Sequence, residues 1–356
     1  MQVKTNKFTT VLLGMLITFG FMVSCKQNAE TKTDVGENIE TVKKSDPLPS
    51  WNEGITKQAI VSFVDAVTDK NSADYIAPIN RIATFDNDGT LWAEKPVYAQ
   101  LIFALERIKT LAPEHPEWKN KQPFKAVLEN DQKALMESGE KGLLEIVAVT
   151  HAGMSTDAFE TIVNNWITVA KQPDPRFKER LFTEMVYQPM LELIDYLKEN
   201  NFDVFIVSGG GIEFMRPWTE AVYGIPAQNV VGSSVKVSYN YNDGKPVLMR
   251  LPEVAFNDDK DGKPAGINSH IGKKPILAFG NSTGDQQMLE WSQSAGIKTF
   301  QGLVHHTDAD REWAYGPESK IGTFSDELMK TAEISGWHVV DMKTDWKVVF
   351  PFELTK

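Results

Sequence analysis

Three apolar segments of this chain each run straight into a polar, glycine-bearing loop, and that arrangement points to an open α/β sheet. The first, residues 81–85, leads into Asp86-Asn87-Asp88-Gly89-Thr90. The second, residues 202–207, leads into Ser208-Gly209-Gly210-Gly211, with a helix expected over residues 212–223. The third, residues 275–279, leads into Gly280-Asn281-Ser282-Thr283-Gly284-Asp285, with a helix expected from Gln286. Short apolar runs bounded by glycine read as buried parallel strands. In a parallel sheet the three loops emerge at the carboxyl edge, where such sheets hold their ligands. Asp-Asn-Asp-Gly is also ordinary turn chemistry, so the first loop alone does not separate a turn from a site; its two partners do.

Around this frame, Ile60, Phe63, Val64 and Val67 recur at helical spacing, which predicts an amphipathic helix over residues 55–69. Residues 92–200 carry no convincing strand pattern. Helix-like stretches at 97–110, 124–137, 155–170 and 190–200 are separated by loops rich in proline, among them Pro113, Pro116, Pro123, Pro173 and Pro175. Residues 235–241 and 247–251 flank Asn242-Asp243-Gly244-Lys245-Pro246 as a β-hairpin, and residues 296–300 read as a further strand. The predicted architecture is α/β: a doubly wound parallel-sheet core made of residues 55–91 and 201–356. A mostly helical cap, residues 92–200, is inserted between the first and second loops.

With 356 residues, 42% of them hydrophobic, the chain has material for one large domain or two ordinary ones. A net charge of −11 argues against nucleic-acid binding, which depends on neutralising phosphates. It leaves a small anionic substrate open, because a local cation inverts the field of a site. At the N-terminus Lys4 and Lys7 precede an uncharged, largely apolar stretch at 8–23, which ends in Met22-Val23-Ser24-Cys25. That pattern resembles a bacterial lipoprotein signal, with Met22 where leucine is usual. It implies a signal peptide over residues 1–24, lipid attachment at Cys25 and a flexible tether over residues 25–54, placing the protein on a membrane of the cell envelope, periplasmic or surface-exposed. Cys25 is the only cysteine, so an internal disulfide, a cysteine nucleophile and a thiolate metal site are all excluded.

The loops differ in chemistry. Asp86 and Asp88 repel each other unless a cation, a proton or a phosphoryl group relieves them. Ser208 and the amides of the following glycines are phosphate donors. Asn281 and Asp285 add the hard oxygen ligands that Mg²⁺ prefers. A lysine is wanted to offset nucleophile plus phosphate, and Lys263, Lys273 and Lys274 are the candidates.

On these motifs the chain resembles the haloacid dehalogenase-like (HAD) hydrolases, in particular the phosphoserine phosphatase-like branch. Asp86 to Thr90 matches the first motif, Ser208 the second, and Asn281 with Asp285 the fourth. The core match covers residues 81–91 and 201–300, and the helical block resembles the cap of that branch in architecture only. The resemblance implies that Asp86 attacks phosphorus to give an aspartyl-phosphate and that Asp88 serves as general acid and then base. Ser208, Gly209 and a lysine would hold the phosphate; Lys263 is preferred, lying a helix ahead of the fourth-motif strand, where the family places its lysine. Mg²⁺ would be held by Asp86, the Asp88 carbonyl, Asn281 and Asp285, with Asn281 standing where the family often has aspartate. Asp88 favours a phosphatase or phosphotransferase over the dehalogenases and phosphoryl-transfer ATPases, which lack it. Glu94, Arg216 and His306 are candidate substrate contacts. Trp92, Trp118, Trp166 and Trp218 either line a pocket or pack. The expected activity is Mg²⁺-dependent hydrolysis of a small phosphomonoester. The alternatives are transfer to an acceptor other than water, or a disabled scaffold acting as a binding lipoprotein; no oligomeric state follows.

Overall fold

The central strand of the sheet, β1 (Ile82–Phe85), is buried on both faces, which is why it reads as an unbroken apolar run rather than an alternating one. The computed structural model describes residues 45–354; the expected signal peptide, Cys25 and most of the expected tether lie outside the described residues. β2 (Asp203–Gly211), β3 (Val230–Asn242), β4 (Lys245–Phe256), β5 (Leu277–Gly280), β6 (Phe300–His305) and β7 (His338–Asp341) complete the sheet. Its order is β4-β3-β2-β1-β5-β6-β7, parallel throughout except for the β3–β4 pair. Phe85 lies level with Ile206 of β2 and Phe279 of β5. The three polar loops therefore leave the sheet at one height, and the Asp86 amide bonds the Phe279 carbonyl at 2.9 Å. Beneath them Phe85, Phe279 and Phe300 stack at 5.5 and 5.7 Å, giving the loops a rigid base.

Helix α1 (Ile55–Thr68) buries Ile60, Phe63, Val64 and Val67, as their spacing predicts. The helical block contains α2 (Ala99–Leu111), α3 (Phe124–Glu129), α4 (Gln132–Glu137), α5 (Gly139–His151) and α6 (Thr156–Ile167). α7 (Gln188–Glu199) leads back to the sheet, and α8 (Ile212–Tyr223), α9 (Gly262–His270), α10 (Gln286–Gln293) and α11 (Asp326–Ser335) flank it. The helical block belongs to the same compact unit as the sheet.

Four differences from the sequence expectation have local causes. The helix predicted over 124–137 is broken, because Asn130 takes a left-handed conformation (φ 55°) and Asp131 caps α4 by accepting from the Ala134 amide. α5 was not foreseen; Gly139 and Gly142 dilute its pattern. The strand expected at 296–300 begins only at Phe300 and runs to His305, Gly296 being a turn residue at φ 74°. The tether ends earlier than residue 54: Leu48 and Trp51 are buried, Trp51 packing edge-on to Trp346 at 6.0 Å and donating to the Pro189 carbonyl.

The hairpin is longer than predicted. β3 first pairs in parallel with β2 and then continues as a ribbon with β4, closed by Asp243 (φ 48°) and Gly244 (φ 74°), a pair of left-handed residues suited to a tight hairpin turn. Arg250 on β4 is hydrogen-bonded through its backbone to Gly153 and Met154, so the ribbon is fastened to the end of α5.

Candidate active site

Lys263 stands at the centre of the site. Its ammonium is 2.6 Å from Asp86 Oδ1, 2.6 Å from Asp285 Oδ1 and 2.9 Å from the Val207 carbonyl, and its side chain is almost fully buried. One cation thus joins all three strand-end loops. The choice among the lysines is decided by position: Lys273 bonds Ile79 and Asn80 at the surface and Lys274 bonds Ser294. α9 starts at Gly262, which puts Lys263 in its first turn.

The first-motif loop is held from several sides. Trp92 Nε1 donates to Asp88 Oδ1 at 2.8 Å, and Tyr223 donates to Asn87 Oδ1 at 3.0 Å. Gly89 sits at φ +78°, pressed so closely on Asn281 and Glu94 that a side chain there would collide with both. His306 Nε2 lies 2.8 Å from the Gly89 carbonyl, with Nδ1 3.2 Å from Glu312, which also accepts from Tyr187. His306 is therefore a buried support under the loop, stacked on Tyr315, and not the substrate contact expected of it. Arg216 is also corrected: its guanidinium bonds the Ala227 and Val230 carbonyls, away from the site. Glu94 does line the cavity, held by Tyr315 at 2.7 Å and Asn281 at 2.8 Å. Asn281 accepts in turn from Thr90.

On the phosphate side, Ser208 and Gly209 line the cavity, and Ser208 Oγ accepts from the Gly210 amide at 3.1 Å. Asp285 Oδ2 accepts from the amides of Asn281 and Ser282 at 2.9 and 3.0 Å, so its carboxylate is fixed before any ligand arrives. None of the four tryptophans lines the cavity. Trp92 stacks on Trp218 at 4.6 Å, Trp118 on Phe124 at 4.5 Å and Trp166 on Phe182 at 5.6 Å, so they pack.

The electrostatics show an excess of buried acid. Burial, with Asp285 adding, pushes Asp86 up to about 8 against the pull of Lys263. Burial raises Asp88 to about 6, with the Trp92 hydrogen bond opposing, and it raises Glu94 as well. Asp258, buried behind the site and not foreseen from the sequence, is pushed by burial to about 8. Burial alone would lower Lys263, but Asp285 and Asp86 outweigh it and hold the ammonium charged. Five carboxylates with one lysine among them fit a site completed by a hard divalent cation. Among the described residues no three carboxylate or imidazole side chains converge on one point. Mg²⁺ takes one or two carboxylates and fills its shell with substrate oxygens and water. Asp86 and Asp285 would be those carboxylates, with the Asp88 carbonyl and the Asn281 amide oxygen as neutral donors.

These shifts make a stability prediction for the metal-free protein. Asp86 and Asp258 bind protons more tightly folded than unfolded, so the folded state carries more protons between their ordinary value of 3.8 and about 8, and stability falls as pH rises through that range. His151 works the other way: burial lowers it to about 3, so acidification below its ordinary 6.5 costs stability. Urea unfolding in chelator is therefore expected to show stability rising from pH 8 down to 6.5 and rising less steeply below it, where His151 opposes the two acids.

Sequence reasoning also missed Gln100, Arg250 and Tyr315. Gln100 Oε1 accepts from the Gly211 amide and its Nε2 lies 3.2 Å from His151. No motif marks these residues, because they come from the helical block, the ribbon and the segment after β6.

A doubly wound sheet with three carboxylate- and hydroxyl-bearing loops gathered around one buried lysine defines an α/β enzyme with its site at the topological switch. The chain belongs to the haloacid dehalogenase-like hydrolase family, whose sequence profile matches residues 83–290. No curated protein matches it significantly. Among solved structures it is similar to a conserved protein of unknown function from Anaerococcus prevotii, at 16% identity over 83% of this chain and 94% of that one, with a TM-score of 0.49. It is also similar to a phosphoserine phosphohydrolase-like protein from Francisella tularensis (16% identity, 73% and 94% covered, TM-score 0.37). A third likeness is to a probable phosphoserine phosphatase from Vibrio cholerae (12% identity, 80% and 65% covered, TM-score 0.38).

Proposed function

We propose that the chain is a Mg²⁺-dependent phosphomonoesterase acting through an aspartyl-phosphate. The observation that carries this reading is the single ammonium of Lys263 within 2.6 Å of both Asp86 and Asp285 at the carboxyl edge of the sheet. Asp86 attacks phosphorus; the bond from phosphorus to the ester oxygen breaks, and the leaving alcohol takes a proton from Asp88. Asp88 then removes a proton from water, the water oxygen bonds phosphorus, and Asp86 is released with inorganic phosphate. An acid raised to about 6 is suited to both proton transfers near neutral pH. Ser208 and the Gly209 backbone hold the phosphate oxygens while Lys263 offsets their charge. Mg²⁺, when bound, would screen the repulsion between the Asp86 carboxylate and the phosphate.

The test is phosphate release by the domain from residue 46 onward on an aryl phosphate, with Mg²⁺ and with chelator. Turnover with Mg²⁺ and its loss with chelator are expected; no turnover across a broad phosphomonoester panel would refute the reading. Product analysis with a competing alcohol separates hydrolysis from phosphotransfer. For the cell-envelope location we propose acylation at Cys25, and fatty-acid labelling that persists in Cys25→Ala would refute it.

A further inference from the structure

The cavity above Asp86 is much larger than a phosphate requires. It encloses about 730 Å³, within the range of pockets that hold drug-sized ligands. Its two ends differ in chemistry. The floor carries Asp86, Asp88, Ser208 and Lys263, whereas the outer part is walled by Leu143, Leu144, Val147, Phe159, Phe214 and Val254. Phe159 and Phe214 are fully buried, but Leu143, Leu144 and Val254 are 45%, 49% and 49% exposed. Apolar side chains left half-open at the mouth of a cavity, and continuous with its buried wall, mark a surface that something apolar covers. These residues come from α5 and the β4 strand of the ribbon, which are fastened together at Arg250.

The basic groups of the cavity lining are already occupied. Arg250 pairs with Glu213, donates to the His151 carbonyl and lies 4.0 Å above the Phe159 ring. Lys263 is engaged by Asp86 and Asp285. His151 is buried and neutral, facing Gln100. Among the described residues lining the cavity, no lysine or arginine is therefore left to receive a second anionic group. A second phosphate or a carboxylate on the substrate would meet no free cation there, while a hydrocarbon would meet a matching wall.

We propose that the substrate is a phosphomonoester of an apolar alcohol, its phosphate on the Asp86–Lys263 floor and its hydrocarbon portion between α5 and the β3–β4 ribbon. This rests on the phosphatase reading above and narrows it to a substrate class. Hydrocarbon contact with this wall removes apolar surface from water, and burying one methylene fully is worth about fourfold in binding.

The experiment measures kcat/KM for monoalkyl phosphates from ethyl to octyl, alongside glycerol phosphate, a hexose bisphosphate and a phosphorylated amino acid. The expected result is a rise of roughly two- to fourfold per methylene until the chain leaves the cavity, with octyl phosphate well above every polar substrate. In Leu144→Asp and Val254→Asp the octyl-to-ethyl ratio is expected to fall at least fivefold. Both residues are half-exposed, so a polar side chain is tolerated by the fold. Turnover of ethyl and polar phosphates with no gain along the alkyl series would overturn the substrate class and leave the phosphatase reading standing. A gain that both variants retain in full would overturn the assignment of this wall. Absence of turnover on every ester would overturn the phosphatase reading and this inference with it.

Discussion

Asp86→Asn is expected to reduce phosphate release by at least about four orders of magnitude while leaving the fold intact. A nucleophile that forms a covalent intermediate has no substitute in the site, and removing such a group costs nearly the whole catalytic contribution of the machinery around it. The neighbouring Asp88 does not replace it, because its carboxylate is held toward Trp92 by a 2.8 Å hydrogen bond. The substitution is nearly isosteric, and it removes a buried carboxylate that burial and Asp285 already push to about 8. Lys263 keeps Asp285 and the Val207 carbonyl as partners. The thermal midpoint is therefore expected to stay within a few degrees of wild type, and loss of activity together with loss of folding would not support the assignment. An Asp86→Asn protein as active as wild type would contradict it.

Lys263→Met is expected to be the most destabilising single change in the site. It leaves Asp86 and Asp285, both buried, facing each other with no cation between them. Breaking a buried ion pair on one side costs about 3–5 kcal/mol, since the remaining charge is uncompensated. The penalty has a pH signature. Lys263 holds Asp86 down to about 8, so without it Asp86 keeps its proton to higher pH, and the difference from wild type should grow as pH rises from 7 to about 9. Urea melts in chelator at several pH values measure this directly. A penalty below about 1 kcal/mol at pH 8, or one independent of pH, would mean that the lysine is not what holds the carboxylates together. Turnover should be lost as well, because among the described residues no other lysine lines the cavity.

Much of the frame was legible in the sequence because parallel strands buried on both faces leave an unmistakable signature. Residues 81–85, 202–207 and 275–279 each combine an apolar run with a polar loop, and register alone then brings Asp86, Ser208 and Asp285 together. Lys263 was placed by the order of elements, and in the structure its ammonium lies 2.6 Å from both Asp86 and Asp285. What the sequence did not show depends on contacts between elements distant in the chain. His306 reads as a rim residue until Glu312 and the Gly89 carbonyl are seen on its two nitrogens. Arg216 reads as a substrate contact until the Ala227 and Val230 carbonyls claim it. Arg250 had no signal, since its role arises from a ribbon folding back on the end of α5. The substrate wall is of the same kind: Leu144 and Val254 are unremarkable in sequence and acquire meaning only when two elements place them across one cavity.

In the proposed mechanism Asp86 itself carries the phosphoryl group. The most direct measurement is rapid acid quench during turnover, followed by peptide mapping of covalently bound phosphate in wild type and Asp86→Asn. An acyl-phosphate on Asp86 that accumulates and decays with turnover is expected in wild type, and none in the variant. Sustained phosphate release with no phosphorylated Asp86, or a phosphoryl group mapped to a different residue, would contradict it.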